Sequence, residues 1–92
     1  MSGERILVVD DEPDIRRLVQ EILDDEGYRV TTAGDAADAR TQVKSSPPDL
    51  VLLDIWMPDT DGMALLKEWA ATGRPEMPVV MMSGHGNIET AV

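Results

Sequence analysis

The stretch "DLVLLDIWMPDTDG", residues 49–62, carries the strongest indication of the fold. Residues 50–53 are all apolar, and Asp54 follows them at once. A strand with one wet face alternates apolar and polar residues, whereas a strand covered on both faces of a parallel sheet is continuously apolar. The stretch therefore predicts a buried strand that carries a carboxylate at its carboxyl end.

Two further apolar runs, residues 6–9 and 79–82, have the same character, and residues 28–33 indicate a more polar strand towards one edge of the sheet. Helical patterns separate these strands, and "SGHGNIETAV", residues 83–92, is predicted to form a turn and the beginning of a fourth helix. Alternation of strands and helices is typical of a doubly wound α/β sheet with right-handed crossovers. In this arrangement the fourth strand is expected to be a bare edge.

Three complete helices are predicted from apolar spacing and from signals at their ends. The first has Pro13 in its first turn and stops at Gly27, and the second is capped by Asp35 and runs to about Ser45. The residues predicted to face the sheet from the three helices in turn are Ile15, Leu18, Val19, Ile22 and Leu23; Ala36, Ala39 and Val43; and Met63, Leu65, Leu66 and Trp69. Each helix is thus expected to bury one apolar face.

Composition narrows the class of protein. The 92 residues suffice for one domain, and 8 Lys and Arg against 18 Asp and Glu give a formal net charge of -10. Such a charge disfavours direct contact with nucleic acid or with an anionic membrane. The sequence has no Cys, which excludes disulfides and thiolate metal sites. No segment resembles a signal peptide or a membrane span, so a cytoplasmic location is expected.

Polar side chains follow the apolar runs where functional groups gather in such sheets, at the carboxyl ends of the strands. Asp10 and Asp11 follow the first run, Asp54 follows the third strand, and Ser83 follows the fourth. If the first and third strands are neighbours, three carboxylates converge and repel one another, and a hard divalent cation such as Mg2+ removes that conflict. The alternative is a set of acids that are separately solvated or cap helices.

A magnesium site with a spare carboxylate suggests phosphoryl chemistry. A carboxylate can act as a nucleophile and carry a phosphoryl group as a mixed anhydride. The cation would offset the negative charge of the attacking and phosphoryl oxygens, and loop amides with a nearby hydroxyl would hold the remaining oxygens.

Three segments, "ILVVDDEPDIR" (6–16), "DLVLLDIWMPDTDG" (49–62) and "PVVMMSGHGN" (78–87), together resemble the receiver domains of bacterial two-component response regulators. The residues of the second and third segments further resemble those of the NtrX branch of the NtrC-type regulators. The resemblance covers residues 1–92 and implies a flavodoxin-like or CheY-like sheet of strand order 2-1-3-4. The family's fifth strand, with its lysine, and fifth helix are expected to be absent from this chain, since Lys44 and Lys67 fall on helices and do not match.

The resemblance also implies individual roles. Asp54 would be the phosphoacceptor, and Asp11 would ligate Mg2+ directly while Asp10 holds it mainly through water. The backbone carbonyl of Trp56 would be a further ligand, and Ser83 would be the hydroxyl that turns towards the phosphoryl group. Pro58 and Gly62 would shape the loop after the acceptor.

The function expected from this resemblance is a switch rather than a turnover enzyme. A sensor histidine kinase would donate the phosphoryl group, and the switched surface would control a DNA-binding output domain outside this chain. Two alternatives remain: an aspartyl phosphatase of the haloacid-dehalogenase type, disfavoured because Trp56 stands where its second acid would be, and an interaction module that works without phosphorylation. The bare edge also suggests self-association as a homodimer or a swapped oligomer.

Overall fold

The computed structural model describes residues 3–54, 62–71, 78–82 and 88–90. Its strands are β1 (Arg5–Val9), β2 (Arg29–Ala33), β3 (Leu50–Asp54), β4 (Val79–Met82) and β5 (Ile88–Thr90). Its helices are α1 (Pro13–Asp25), α2 (Ala36–Ser45) and α3 (Gly62–Ala71). Within the described ranges, no helix combines the length and the apolar character needed to cross a membrane.

The strands form one sheet in the order β2-β1-β3-β4-β5. The pairs β1–β2, β1–β3 and β3–β4 are parallel, which confirms the predicted order 2-1-3-4. Two backbone-linked contacts fix the start of the β1–β3 pair: Arg5 N donates to Asp49 Oδ2 at 2.8 Å, and Asp49 N donates to Arg5 O at 2.8 Å. These bonds fix the register that later places the strand ends side by side.

The C-terminal strand differs from the sequence prediction. Residues Ile88–Thr90 form β5, antiparallel to β4, so the predicted beginning of a fourth helix is wrong for these residues. An edge strand offers unpaired N–H and C=O groups, to which the backbone of another extended segment can bond. Pairing of β5 along residues 80–82 therefore covers the edge that was expected to be bare.

The predicted ends of α1 are confirmed. Pro13 is its first residue, where the missing N–H of proline breaks no helical hydrogen bond. At the other end Gly27 has a φ of 94°, a left-handed conformation that glycine adopts without a Cβ clash. The N–H of Gly27 donates to Asp24 O at 3.0 Å, and the N–H of Tyr28 donates to Leu23 O at 3.1 Å, which satisfies the last carbonyls.

The predicted cap of α2 is confirmed as well. The Asp35 carboxylate accepts a hydrogen bond from Asp38 N at 2.8 Å. Further along α2, Gln42 Nε2 donates to Thr32 O at 2.6 Å and ties the helix to β2. The three residues predicted to point inward from this helix, Ala36, Ala39 and Val43, are all buried.

One face of the sheet carries the core. Its buried cluster is made of side chains from the strands and from α2 and α3: Leu7, Val9, Ala33, Ala36, Ala39, Val43, Val51, Leu53, Leu65, Trp69 and Val79, with Leu66 packed against it. In right-handed crossovers α2 and α3 lie on this face, and α1 lies on the other.

The face on the side of α1 is covered less than predicted. Leu50 and Leu52 are only half-buried, and Ile15, Leu18 and Ile22 of α1 are exposed by 41%, 53% and 54%. The predictions that β3 is buried on both faces and that the α1 stripe packs inward are therefore wrong in this part. The reason is coverage: among the described residues two helices cover one face, whereas α1 alone, in contact with β1 and β2, covers the other.

Candidate functional site

The parallel register brings the carboxyl ends of β1 and β3 together. Val9 pairs with Leu53, so Asp10 and Asp54 come next on adjacent strands. Both carboxylate residues are buried, with exposures of 4% for Asp10 and 6% for Asp54. Burial of two acids side by side at a strand edge is unusual, because each charge loses solvation and repels the other.

Asp11 completes a cluster of three acids. One carboxylate oxygen from each of Asp10, Asp11 and Asp54 lies within 4.8 Å of the other two. Asp11 is half-buried, unlike the other two, so the cluster is open to solvent on its side. The convergence predicted from the strand ends is confirmed for these three residues.

The backbone and side chain of Asp10 are held from three directions. Its N–H donates to Ala33 O at 3.1 Å, and its Oδ1 accepts from Glu12 N at 2.9 Å. Its carbonyl oxygen accepts from Arg16 Nη1 at 2.7 Å. The position of Asp10 is therefore set by β2, by the turn into α1 and by α1 itself.

The electrostatics of the cluster are visible in one pKa. Burial raises the pKa of the Asp10 carboxyl from 3.8 to about 6, and the charge and hydrogen bond of Asp54 and the charge of Asp11 add to the rise. The hydrogen bond from the Glu12 N–H acts in the opposite sense and lowers the pKa. The pocket thus resists full ionisation unless positive charge is supplied.

The donor set fits a hard divalent cation. Three carboxylates supply only oxygen ligands, which Mg2+ prefers, and a cation offsets the repulsion that raises the Asp10 pKa. A site with one half-buried member also leaves room for the waters that Mg2+ retains. The geometry suits a cation held by the protein on one side and by water or a ligand on the other.

Several predicted site residues lie outside the described part of the chain. These are Trp56, Pro58 and Ser83. Gly62 is described as the first residue of α3, in agreement with its predicted place at the entry to that helix. Arg16 was missed: it ends the first of the three family-like segments, but its contact with Asp10 joins residues on two elements and has no periodic signal in the sequence.

The fold and the acidic edge define a class of protein, and comparison with known families agrees. The family model described as "Response regulator receiver domain" matches residues 6–92, and the chain belongs to this family. The predicted resemblance to receiver domains is confirmed.

The NtrX branch is represented among the similar proteins. Over 89 residues the chain is 54% identical to the nitrogen assimilation regulatory protein NtrX of Azorhizobium caulinodans, covering 95% of this chain and 19% of that protein. A putative response regulator, NtrX-like, of Rickettsia bellii is 43% identical over 94 residues, covering 100% of this chain and 20% of that protein. The predicted similarity to NtrX is confirmed, and the chain spans about a fifth of the length of these curated relatives.

Solved structures show the same fold. The receiver domain of NtrX from Brucella abortus superposes with a TM-score of 0.81 at 55% identity, covering 89% of this chain and 69% of that one. The response regulator protein TrrA from Thermotoga maritima, solved in complex with Mg(2+)-BeF, has a TM-score of 0.81 at 38% identity and covers 89% of this chain and 72% of that one.

Proposed function

We propose that this receiver domain is a phosphoryl-accepting switch in which Asp54 is the acceptor and Mg2+ the cofactor. The observation that carries the proposal is the position of Asp54, buried at the end of β3 with Asp10 and Asp11 close enough to share a cation. The structure of TrrA with Mg(2+)-BeF supports it by similarity, since that protein accepts a cation together with a fluoride complex.

The chemistry follows from a carboxylate nucleophile. An Asp54 oxygen would form a bond to phosphorus while the bond breaks between phosphorus and one ring nitrogen of a kinase phosphohistidine that is protonated on its other ring nitrogen. This leaves a mixed anhydride on Asp54 and a neutral imidazole on the kinase. Bound Mg2+ supplies positive charge to the phosphoryl oxygens. Asp10 and Asp11 would hold the cation, Asp11 directly and Asp10 mainly through water, and strand β3 would keep Asp54 in position for attack.

Two further residues complete the proposed site. The Trp56 carbonyl would add a ligand, and Ser83 would donate a hydrogen bond to the phosphoryl group. What supports the second role is the register of β4, in which Met82, the residue before Ser83, pairs with Asp54. The new charge and the hydroxyl contact would then favour a second arrangement of the surrounding surface.

The proposal extends to partners outside this chain. A sensor histidine kinase would supply the phosphoryl group, and the switched surface would control an output domain that binds DNA. A transcriptional regulatory protein, ZraR of Klebsiella oxytoca, is 42% identical to this chain over 94 residues, which supports a transcriptional output.

The domain would act in the cytoplasm, would not turn over a substrate, and with a net charge of -10 would make no direct contact with nucleic acid. The exposed apolar residues of α1 favour a homodimer or a swapped oligomer.

The test is treatment of the protein with a small-molecule phosphodonor and Mg2+, followed by intact mass and release of inorganic phosphate. Wild type should gain one phosphoryl group only when Mg2+ is present, and Asp54→Asn should gain none. Asp24→Asn, which removes one acid from α1, is the matched control and should behave as wild type. Sustained phosphate release at many turnovers would identify a phosphatase instead, and unmodified wild type would favour the interaction module.

A further inference from the structure

Arg16 links α1 to the acidic edge of the sheet. It is half-buried on the first turns of α1, and its Nη1 donates to the carbonyl oxygen of Asp10 at 2.7 Å. A hydrogen bond from a charged guanidinium at this distance is among the stronger ones in proteins. Arg16 thus reaches back from the helix to the residue at which β1 ends.

The bonded carbonyl belongs to the peptide that joins Asp10 to Asp11. Because a peptide unit is planar, a fixed carbonyl also fixes the direction in which the chain enters Asp11. The other bonds of Asp10 hold its N–H to Ala33 O and its Oδ1 to Glu12 N. Among the described residues, the Arg16 bond therefore holds the carbonyl of the peptide that links two of the three clustered acids.

Gly34 gives independent evidence that the guanidinium has a defined place. A Cβ built on Gly34 would lie 3.1 Å from Arg16 Nη1 and 3.6 Å from Arg16 Cζ. The first distance is tighter than nine in ten real Cβ contacts, so a Cβ at this position would require the guanidinium to shift by a few tenths of an ångström. Arg16 consequently lies between the carbonyl of Asp10 and the backbone that leads from β2 into α2.

We propose that Arg16 is a positioning residue for the cation site: it orients the peptide between Asp10 and Asp11 so that both carboxylates can bind the same cation. This inference rests on the proposed function of the acidic cluster. The positioning role and simple electrostatics predict opposite effects of removing Arg16. Loss of a positive charge near an acidic site would strengthen cation binding, whereas loss of orientation would weaken it.

The test is titration of the metal-free protein with Mg2+ by calorimetry, which needs no phosphorylation. Arg16→Ala should weaken Mg2+ binding about tenfold, as loss of a group that orients metal ligands commonly does. Arg17→Ala removes the same charge from the next, exposed position of α1 and should leave the affinity unchanged or slightly stronger. Arg16→Lys keeps a charged donor and should recover part of the affinity.

Gly34→Ala is the second variant, because it displaces the guanidinium without deleting it. It should weaken Mg2+ binding severalfold alone and have no further effect in combination with Arg16→Ala, which a double-mutant cycle measures. Thermal unfolding without metal gives the melting temperature of each variant. If Arg16→Ala binds Mg2+ more weakly at temperatures below its melting temperature, the loss of affinity is not caused by unfolding.

The outcomes separate the two proposals. Unchanged Mg2+ affinity in folded Arg16→Ala, or an equal loss in Arg17→Ala, would overturn the positioning role while the proposed function stands. Absence of saturable Mg2+ binding in wild type, or binding that survives in Asp54→Asn and Asp11→Asn alike, would overturn the proposed function and this inference with it.

Discussion

The two faces of the sheet differ in how completely their apolar residues are buried. On the face that meets α2 and α3, Leu7, Val9, Val51 and Leu53 are at most 1% exposed. On the α1 side, Val8 of β1 is fully buried, but Leu52 of β3 is half-buried and Leu18 of α1 is 53% exposed. The acids of the cluster lie at the carboxyl ends of β1 and β3, two strands that are fully buried on the face of α2 and α3. Beside Asp54, β3 is therefore closely packed on the face of α2 and α3, whereas its α1 side is only partly covered by the described residues.

The largest expected difference between the faces is in stability. Leu53→Ala should lower the free energy of unfolding by about 2–5 kcal/mol, because it leaves a cavity in a closed core. Leu18→Ala, on the exposed stripe, should lower it by less than about 1 kcal/mol. Urea denaturation of both variants measures the pair.

Equal losses for the two leucine variants would contradict this comparison. They would mean that the α1 stripe is buried in solution. A rise of the melting temperature with protein concentration in wild type would then identify a second copy as its cover.

The second-largest expected effect is the pH dependence of stability that Asp10 causes at the carboxyl edge of the sheet. The pKa of Asp10 is raised from 3.8 to about 6, so between these values the folded protein binds a proton that the unfolded chain releases. Stability from this group is complete below pH of about 4 and is lost as pH rises through about 6. In metal-free protein Asp10→Asn should therefore be more stable than wild type at pH 8, by at most about 3 kcal/mol.

Thermal unfolding in a chelating buffer at pH 5 and pH 8 checks this prediction, with Asp25→Asn on exposed α1 as the control for net charge. The difference between Asp10→Asn and wild type should shrink at pH 5. Added Mg2+ should reverse the order at pH 8, because wild type gains a ligand that the variant binds poorly. A gain that is the same at both pH values would contradict the stated cause.

The smallest effect concerns an ion pair on the sealed side. Arg40 Nε of α2 donates to both oxygens of Glu68 of α3, at 3.1 and 2.9 Å, but the two side chains are 44% and 43% exposed. Such pairs contribute about 0.2–1 kcal/mol. A double-mutant cycle of Arg40→Ala and Glu68→Ala at low and high salt should give a coupling in this range that falls with salt; a larger, salt-independent value would mean that the pair, and not apolar packing, joins the two helices.

Much of the candidate site was predictable from residues 10, 11 and 54 because the rule behind it is local. An apolar run predicts a buried strand, and parallel strands end at one edge, so acids after two neighbouring runs must approach one another. The contact between Arg16 and Asp10 was not predictable in the same way. It depends on how far α1 is tilted over β1, which no spacing within either segment records.

The sequence by itself determined the element order from β1 to β4, the parallel pairing of these four strands and the helix ends at Pro13, Gly27 and Asp35, because periodicity and capping act over a few neighbouring residues. Only the tertiary structure decided which apolar faces are sealed, that Ile88–Thr90 pairs with β4, and that three carboxylate oxygens lie within 4.8 Å of one another. These features arise between elements distant in sequence. Coverage of a face and pairing of an edge depend on what packs there, and a residue's own neighbours in the chain carry no record of it.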